Sequence, residues 1–154
     1  MKKFSKVCLG GTFDIIHLGH ELLLKKAFEV GNHVIIGLTT DLKARASRPN
    51  ISLNSYEKRR SNLDYFLSKN FVEKYTIVEL EDDWGPGALD EKLEAIIVSE
   101  ETESVALNLN QKRESCNLKE LKVVIISLVL DKNGKKISST RIRNNEIDAG
   151  IYQA

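Results

Sequence analysis

Short runs dense in Val, Ile and Leu alternate along the whole chain with stretches of helical period, and a chain patterned this way has few folds open to it. Val7-Cys8-Leu9 ends at Gly10-Gly11, and apolar residues then recur at helical spacing over 18–30 until Gly31-Asn32 stops them. His33-Val34-Ile35-Ile36-Gly37-Leu38 reads as a second strand, followed by a polar, basic loop over 39–54. Asn54 or Ser55 can cap the next helix, with Leu63, Phe66 and Leu67 on its inner face. A third strand is expected at 75–80, an irregular loop at 82–88 around Gly85-Pro86-Gly87, and a fourth strand at 95–98. A helix over 104–113, a fifth strand over 121–129, a turn at Asn133-Gly134 and a loop opening a helix at 136–143 complete the pattern.

Strands this apolar are covered on both faces, so the pattern predicts an α/β fold: a single doubly wound domain, 1–154, built on a five-stranded parallel sheet. Ligands of such sheets collect beyond the carboxyl ends of the strands. The 23 basic and 22 acidic side chains leave a net charge of +1, so any phosphate binding must be local. Neither nucleic acid nor a membrane surface is an expected partner, and no obligate protein partner is evident. No run reaches the roughly 20 apolar residues of a membrane span and no secretory pattern opens the chain, which makes the cytoplasm the expected compartment. The two cysteines, Cys8 and Cys116, lack metal-type spacing and read as reduced structural thiols, Cys8 in the core.

Two segments carry phosphate chemistry. GGTFDIIHLGH at 10–20 follows the first strand, where glycines let backbone approach a ligand and the next helix offers free N–H groups to an anion. Within it His17 and His20 lie three residues apart, near one face of a helix start, with Gly19 between them leaving space for a nucleotide. ISSTRIR at 137–143 sets Ser138, Ser139 and Thr140 at a helix start and follows them with two guanidinium groups. His33 reads as structural, and Glu79, Glu81, Asp82 and Asp83 read as a solvated acidic loop.

The first segment matches the signature of the HxGH nucleotidyltransferase superfamily, and the second resembles that superfamily's ISSTxIR triphosphate motif. Between 7 and 143 the chain resembles the archaeal type of phosphopantetheine adenylyltransferase, with Asp83-Trp84-Gly85-Pro86-Gly87, Ile97-Val98-Ser99-Glu100-Glu101-Thr102 and Asn110-Gln111-Lys112-Arg113 as its distinctive pieces. It departs from the bacterial type, which has Thr in place of His17.

The resemblance implies a Rossmann-like nucleotidyltransferase fold and transfer of AMP from ATP to 4'-phosphopantetheine. It implies catalytic roles for His17, His20 and Lys43, with Arg45 and Arg48 as rivals to Lys43 in the same loop. ATP would be held by Gly10, Gly11, Thr12, Phe13, His20, Ser138, Ser139, Thr140 and Arg143, and the acceptor phosphate by Thr12 and Lys43. Mg²⁺ is expected on the ATP, coordinated by phosphate oxygens and water, with no protein metal ligands. Another transferase of the superfamily, acting on FMN, nicotinamide mononucleotide or a CTP-dependent acceptor, would share both motifs, and a non-catalytic nucleotide sensor is the reading from a different class.

Overall fold

Every strand expected from the apolar runs is present in the computed structural model, which describes residues 2–49, 51–85 and 89–154. The elements are β1 (Phe4–Gly11), α1 (Leu18–Val30), β2 (Gly31–Thr39), α2 (Asp41–Ser47), α3 (Tyr56–Asn70), β3 (Lys74–Leu80), β4 (Ala95–Ser99), α4 (Glu103–Ser115), β5 (Lys122–Ile126), α5 (Ser139–Arg143) and α6 (Ala149–Tyr152). The strands make one five-stranded sheet in the order β3-β2-β1-β4-β5. All pairs are parallel, with Val7 opposite Val34, Ile36 opposite Ile77 and Ile97 opposite Val124.

Successive side chains of a strand point to opposite faces, and here that parity sorts the apolar residues into two cores. Val7, Leu9, Val34, Ile36, Ala95 and Ile97 pack with Leu24 and Phe28 of α1 and with Leu63 and Leu67 of α3. Ile35, Ile96 and Val98 turn the other way, against Ala106 and Leu109 of α4. Helices therefore cover both faces, which is why the central strands carry no polar alternation. The chain winds outward from β1 to β3 in one direction and through β4 to β5 in the other. The reversal leaves a crevice between the carboxyl ends of β1 and β4.

Three expectations change. The 39–54 loop contains α2, capped by the Thr40 hydroxyl, which accepts from the Lys43 N–H at 3.2 Å. Only Ala44 of α2 is buried while Leu42 is exposed, so the helix has no apolar stripe for a sequence to show. The fifth strand stops at Ile126 rather than at 129; the chain leaves the sheet, and the Leu128 N–H is taken by Glu100 at 3.1 Å. Cys116 is exposed at the end of α4, whereas Cys8 is half-buried, and both are free. No helix among the described residues is long and apolar enough to cross a membrane.

Candidate active site

The backbone after β1 is shaped by one residue that breaks a local rule. Phe13 takes a φ of 49°, a left-handed conformation that a bulky side chain adopts only under constraint from its surroundings. Its ring is buried under Gly11, where a Cβ would stand 2.8 Å from it, and lies 4.7 Å from the His20 ring. The turn directs Asp14 inward, where its carboxylate accepts the Asn54 N–H at 2.8 Å and pairs with Arg143. Phe13 lines the cavity and also supports His20 beneath it.

His17 and His20 cap α1 reciprocally. His17 is the N-cap, its Nδ1 accepting from the Gly19 N–H at 3.0 Å, while His20 Nδ1 accepts from the His17 N–H at 3.2 Å. The rings stack at 3.8 Å. A neutral imidazole that accepts at Nδ1 carries its proton on Nε2, so the cap fixes the tautomer of both rings. Both are held neutral. Burial, helped by the charge of Lys136, brings His17 down to about 4. Burial and then His17 push His20 well below the ordinary range, against an opposing hydrogen bond to the Ile15 carbonyl and with a lesser contribution from Arg48. Gly19 lines the same cavity as both rings, and a Cβ there would sit 2.9 Å from the His17 ring, so the missing side chain makes room for that histidine as well.

The second segment is fastened to the first across most of the chain. Ser139 Oγ donates to the Ile15 carbonyl at 2.8 Å and accepts the Ile15 N–H at 3.1 Å, and Arg143 reaches Asp14. Ser138 caps α5 by accepting the Arg141 N–H at 3.2 Å. Arg141 in turn binds Asp131 at 2.6 Å. Hydrogen bonds from the Lys135 N–H and from Arg141 hold the Asp131 carboxyl down at about 2.

The two segments enclose a cavity of about 380 Å³ at the crevice between β1 and β4. Gly10, Gly11, Thr12, Phe13, His17, His20, Ser138, Ser139, Thr140 and Arg143 all line it, so every residue expected to contact ATP is gathered there. Its far wall is the irregular chain at 127–129 with Ser99 and Thr102. A second cavity of about 200 Å³ adjoins it, sharing Gly10, Gly11, Leu23 and Thr102, and is mostly apolar, with Val78, Leu80, Trp84, Val105 and Leu109 in its wall. Cys8 lines this second cavity, enclosed enough that burial pushes its thiol up to about 12.

Lys43 lies in the second cavity, bound to Asp83 at 2.8 Å. Of its rivals, Arg48 lines the first cavity and donates to Thr12 Oγ1 at 3.2 Å, whereas Arg45 turns back to the Asp41 carbonyl of its own helix. Thr12 Oγ1 also accepts from Thr39 Oγ1 at 3.0 Å. Trp84 sits at the second cavity with Lys112 5.5 Å over its ring, while Pro86 and Gly87 of the same loop lie outside the described residues.

Sequence reasoning missed two supports. Asp14 stands in the first motif but shows its use only once Arg143 is beside it. Arg59, fully buried on α3, donates to the carbonyls of Thr12 at 3.0 Å, Thr39 at 2.9 Å and Asn54 at 2.9 Å, and to Asp41 at 3.1 Å. It ties the ends of β1 and β2 together beneath Thr12.

The carboxylates of the first cavity are Asp14 and Glu101, each paired with a cation, and no group of three or more metal-ligating side chains occurs among the described residues. That donor set suits a metal carried in on phosphate oxygens rather than one held in a protein cage.

Residues 8–145 match the family described as cytidylyltransferase-like. The chain is 45% identical over 148 residues to the phosphopantetheine adenylyltransferase of Pyrococcus horikoshii, covering 96% of this chain and 94% of that one. It is 42% identical over 151 residues to the enzyme of the same name from Methanopyrus kandleri, covering 97% and 95%. A solved structure of a protein with unknown function from Archaeoglobus fulgidus superposes with a TM-score of 0.73 at 31% identity, covering 86% of this chain and 99% of that one.

Proposed function

The chain belongs to the cytidylyltransferase-like family and, within it, to the phosphopantetheine adenylyltransferases, and on that premise we propose how its residues transfer AMP from ATP to 4'-phosphopantetheine. An oxygen of the acceptor phosphate attacks the α-phosphorus of ATP, a new P–O bond forms, the bond to the β-phosphate oxygen breaks, and pyrophosphate leaves as dephospho-coenzyme A forms. The nucleophile is already anionic near neutral pH, so the site needs alignment and charge neutralisation more than a base.

One observation carries the assignment of parts: the two phosphate-type segments meet along one cavity at the sheet's topological switch, tied by Ser139 and Ile15. ATP occupies that cavity. The Nε2–H groups of His17 and His20 serve the α-phosphate oxygens as charge builds, the cap engaging only Nδ1 and the His20 Nε2–H exchanging the Ile15 carbonyl for phosphate. Ser138, Thr140 and Arg143 serve the β- and γ-phosphates, and Ser139 secures the segment. Thr12 orients the acceptor phosphate. Arg48 stands beside it, and Lys43 reaches the phosphates once it leaves Asp83. The pantetheine arm enters the apolar second cavity. Mg²⁺ accompanies ATP and spreads the phosphate charge. The whole chain acts as one catalytic unit in a reducing, cytoplasmic setting, which suits its two free cysteines.

Mass spectrometry of mixtures holding ATP or CTP with 4'-phosphopantetheine, FMN, nicotinamide mononucleotide or glycerol 3-phosphate tests the reading. Dephospho-coenzyme A should form with ATP and 4'-phosphopantetheine, and unphosphorylated pantetheine should be inert because it lacks the nucleophile. Accumulation of a different adduct alone would overturn the acceptor.

A further inference from the structure

The larger cavity holds a cation that neither motif assigns. Lys136 lines it just before Ser138, and its Nζ bridges both carboxylate oxygens of Glu101 at 2.9 and 2.7 Å, across the cavity mouth from the turn that follows β4. The backbone of Lys136 is pinned: it bridges to Leu130, and its carbonyl accepts from Arg141, itself fixed on buried Asp131. The pair's tips are open, with side chains 43% and 49% exposed. A fixed root with an exposed tip is a side chain that can change partners at little cost, since an exposed ion pair is worth at most about 1 kcal/mol.

The second acid of the cavity is different. Asp14 is 3% exposed on its side chain, accepts the Asn54 N–H and pairs with Arg143, so it cannot withdraw. Glu101 can. Resting on the reading of this cavity as the ATP site, we infer that Lys136 is a further ligand of the triphosphate and that Glu101 is its resident counter-ion, displaced when the β- and γ-phosphates arrive. The effect of the Lys136 charge on His17 agrees with a place at the phosphate end of the cavity. Between nucleotides Glu101 keeps the cation from attracting other anions, and on binding it gives Lys136 up to a partner of higher charge.

Calorimetric titration of the full-length protein with ATP and, separately, AMP tests this without any acceptor. Lys136→Met keeps the aliphatic stem and should weaken ATP about tenfold, the worth of one charge-assisted hydrogen bond, while moving AMP less than about twofold. Lys136→Arg should restore most of the loss. Glu101→Gln should tighten ATP by roughly threefold, because the competing carboxylate is gone. Equal weakening of ATP and AMP by Lys136→Met, or no change in either, would overturn the inference. So would weaker ATP binding in Glu101→Gln, which would make the acid a metal or structural ligand. A wild-type protein that binds no ATP would overturn the nucleotide site itself, and this inference with it.

Discussion

A histidine that caps a helix and one that binds phosphate are usually weighed as rivals, yet His17 and His20 can do both because each ring has two nitrogens and the cap consumes only Nδ1. His20→Ala should therefore have two separable effects. Turnover, read as pyrophosphate release, should fall by about 10²–10³, the usual loss for one transition-state donor. The thermal midpoint should fall only slightly, since a lost cap costs about 1 kcal/mol. Near-native turnover would remove His20 from the chemistry. The depressed values also fix a sign with pH. A ring that resists protonation in the fold, His17 at about 4, binds fewer protons than the unfolded chain between about 6.5 and 4, so the empty protein loses stability as pH falls through that window. Because each ring meets phosphate through Nε2–H while Nδ1 stays engaged in the cap, ATP binding should take up no proton at the rings near pH 6, so the binding enthalpy should not depend on buffer ionisation. Proton uptake would mean that a ring gives up its cap to meet the phosphates as an imidazolium. The histidine pair is legible from its spacing. The use of Asp14 is not, because its partner Arg143 arrives only at the far end of the chain.

Among the elements, those with an apolar stripe or a dense β-branched run are readable, and those made by polar contacts are not. α2 leaves no mark on the pattern because Thr40 and Asp41 start it and only Ala44 is buried. The fifth strand reads too long because Leu128 and Val129 continue its apolar composition, while Glu100 draws the chain out of register. The least legible part is Arg59, one of several charged residues on a polar helix, yet the fully buried one. Its guanidinium satisfies the carbonyls of Thr12, Thr39 and Asn54 at once, so Arg59→Met would strand those acceptors in the interior. We expect a loss of about 3 kcal/mol or more in urea unfolding, since each buried polar group left unpaired costs about 1–3 kcal/mol. Arg59→Lys should recover only part of it, because one ammonium cannot span the fork. A loss below about 1 kcal/mol in Arg59→Met would mean that water replaces the guanidinium at little cost.

At the scale of the molecule, the α/β class follows from the alternation of runs, but the division of labour between two adjoining cavities does not, because it depends on strand order. With β1 between β2 and β4, its Gly10-Gly11 end becomes the partition that both cavities share. The larger side carries both phosphate segments, while the smaller carries an apolar wall and Lys43, and only the first should sense the nucleotide. Val105 of α4 lines the smaller cavity and is absent from the wall of the larger, so Val105→Phe pushes a ring into the space proposed for the pantetheine arm. The ring fills a void of about 200 Å³ rather than invading a packed core, so the thermal midpoint should hold. Steady-state kinetics with 4'-phosphopantetheine as the varied substrate should show KM rising by about tenfold or more, as loss of apolar contact and space predicts, while ATP affinity measured by titration stays within about twofold. Opposite behaviour, with ATP weakened and the acceptor unaffected, would exchange the occupants of the two cavities. Equal weakening of both would mean that the introduced ring shifts the shared glycine end of β1, and the two cavities would then act as a single continuous site.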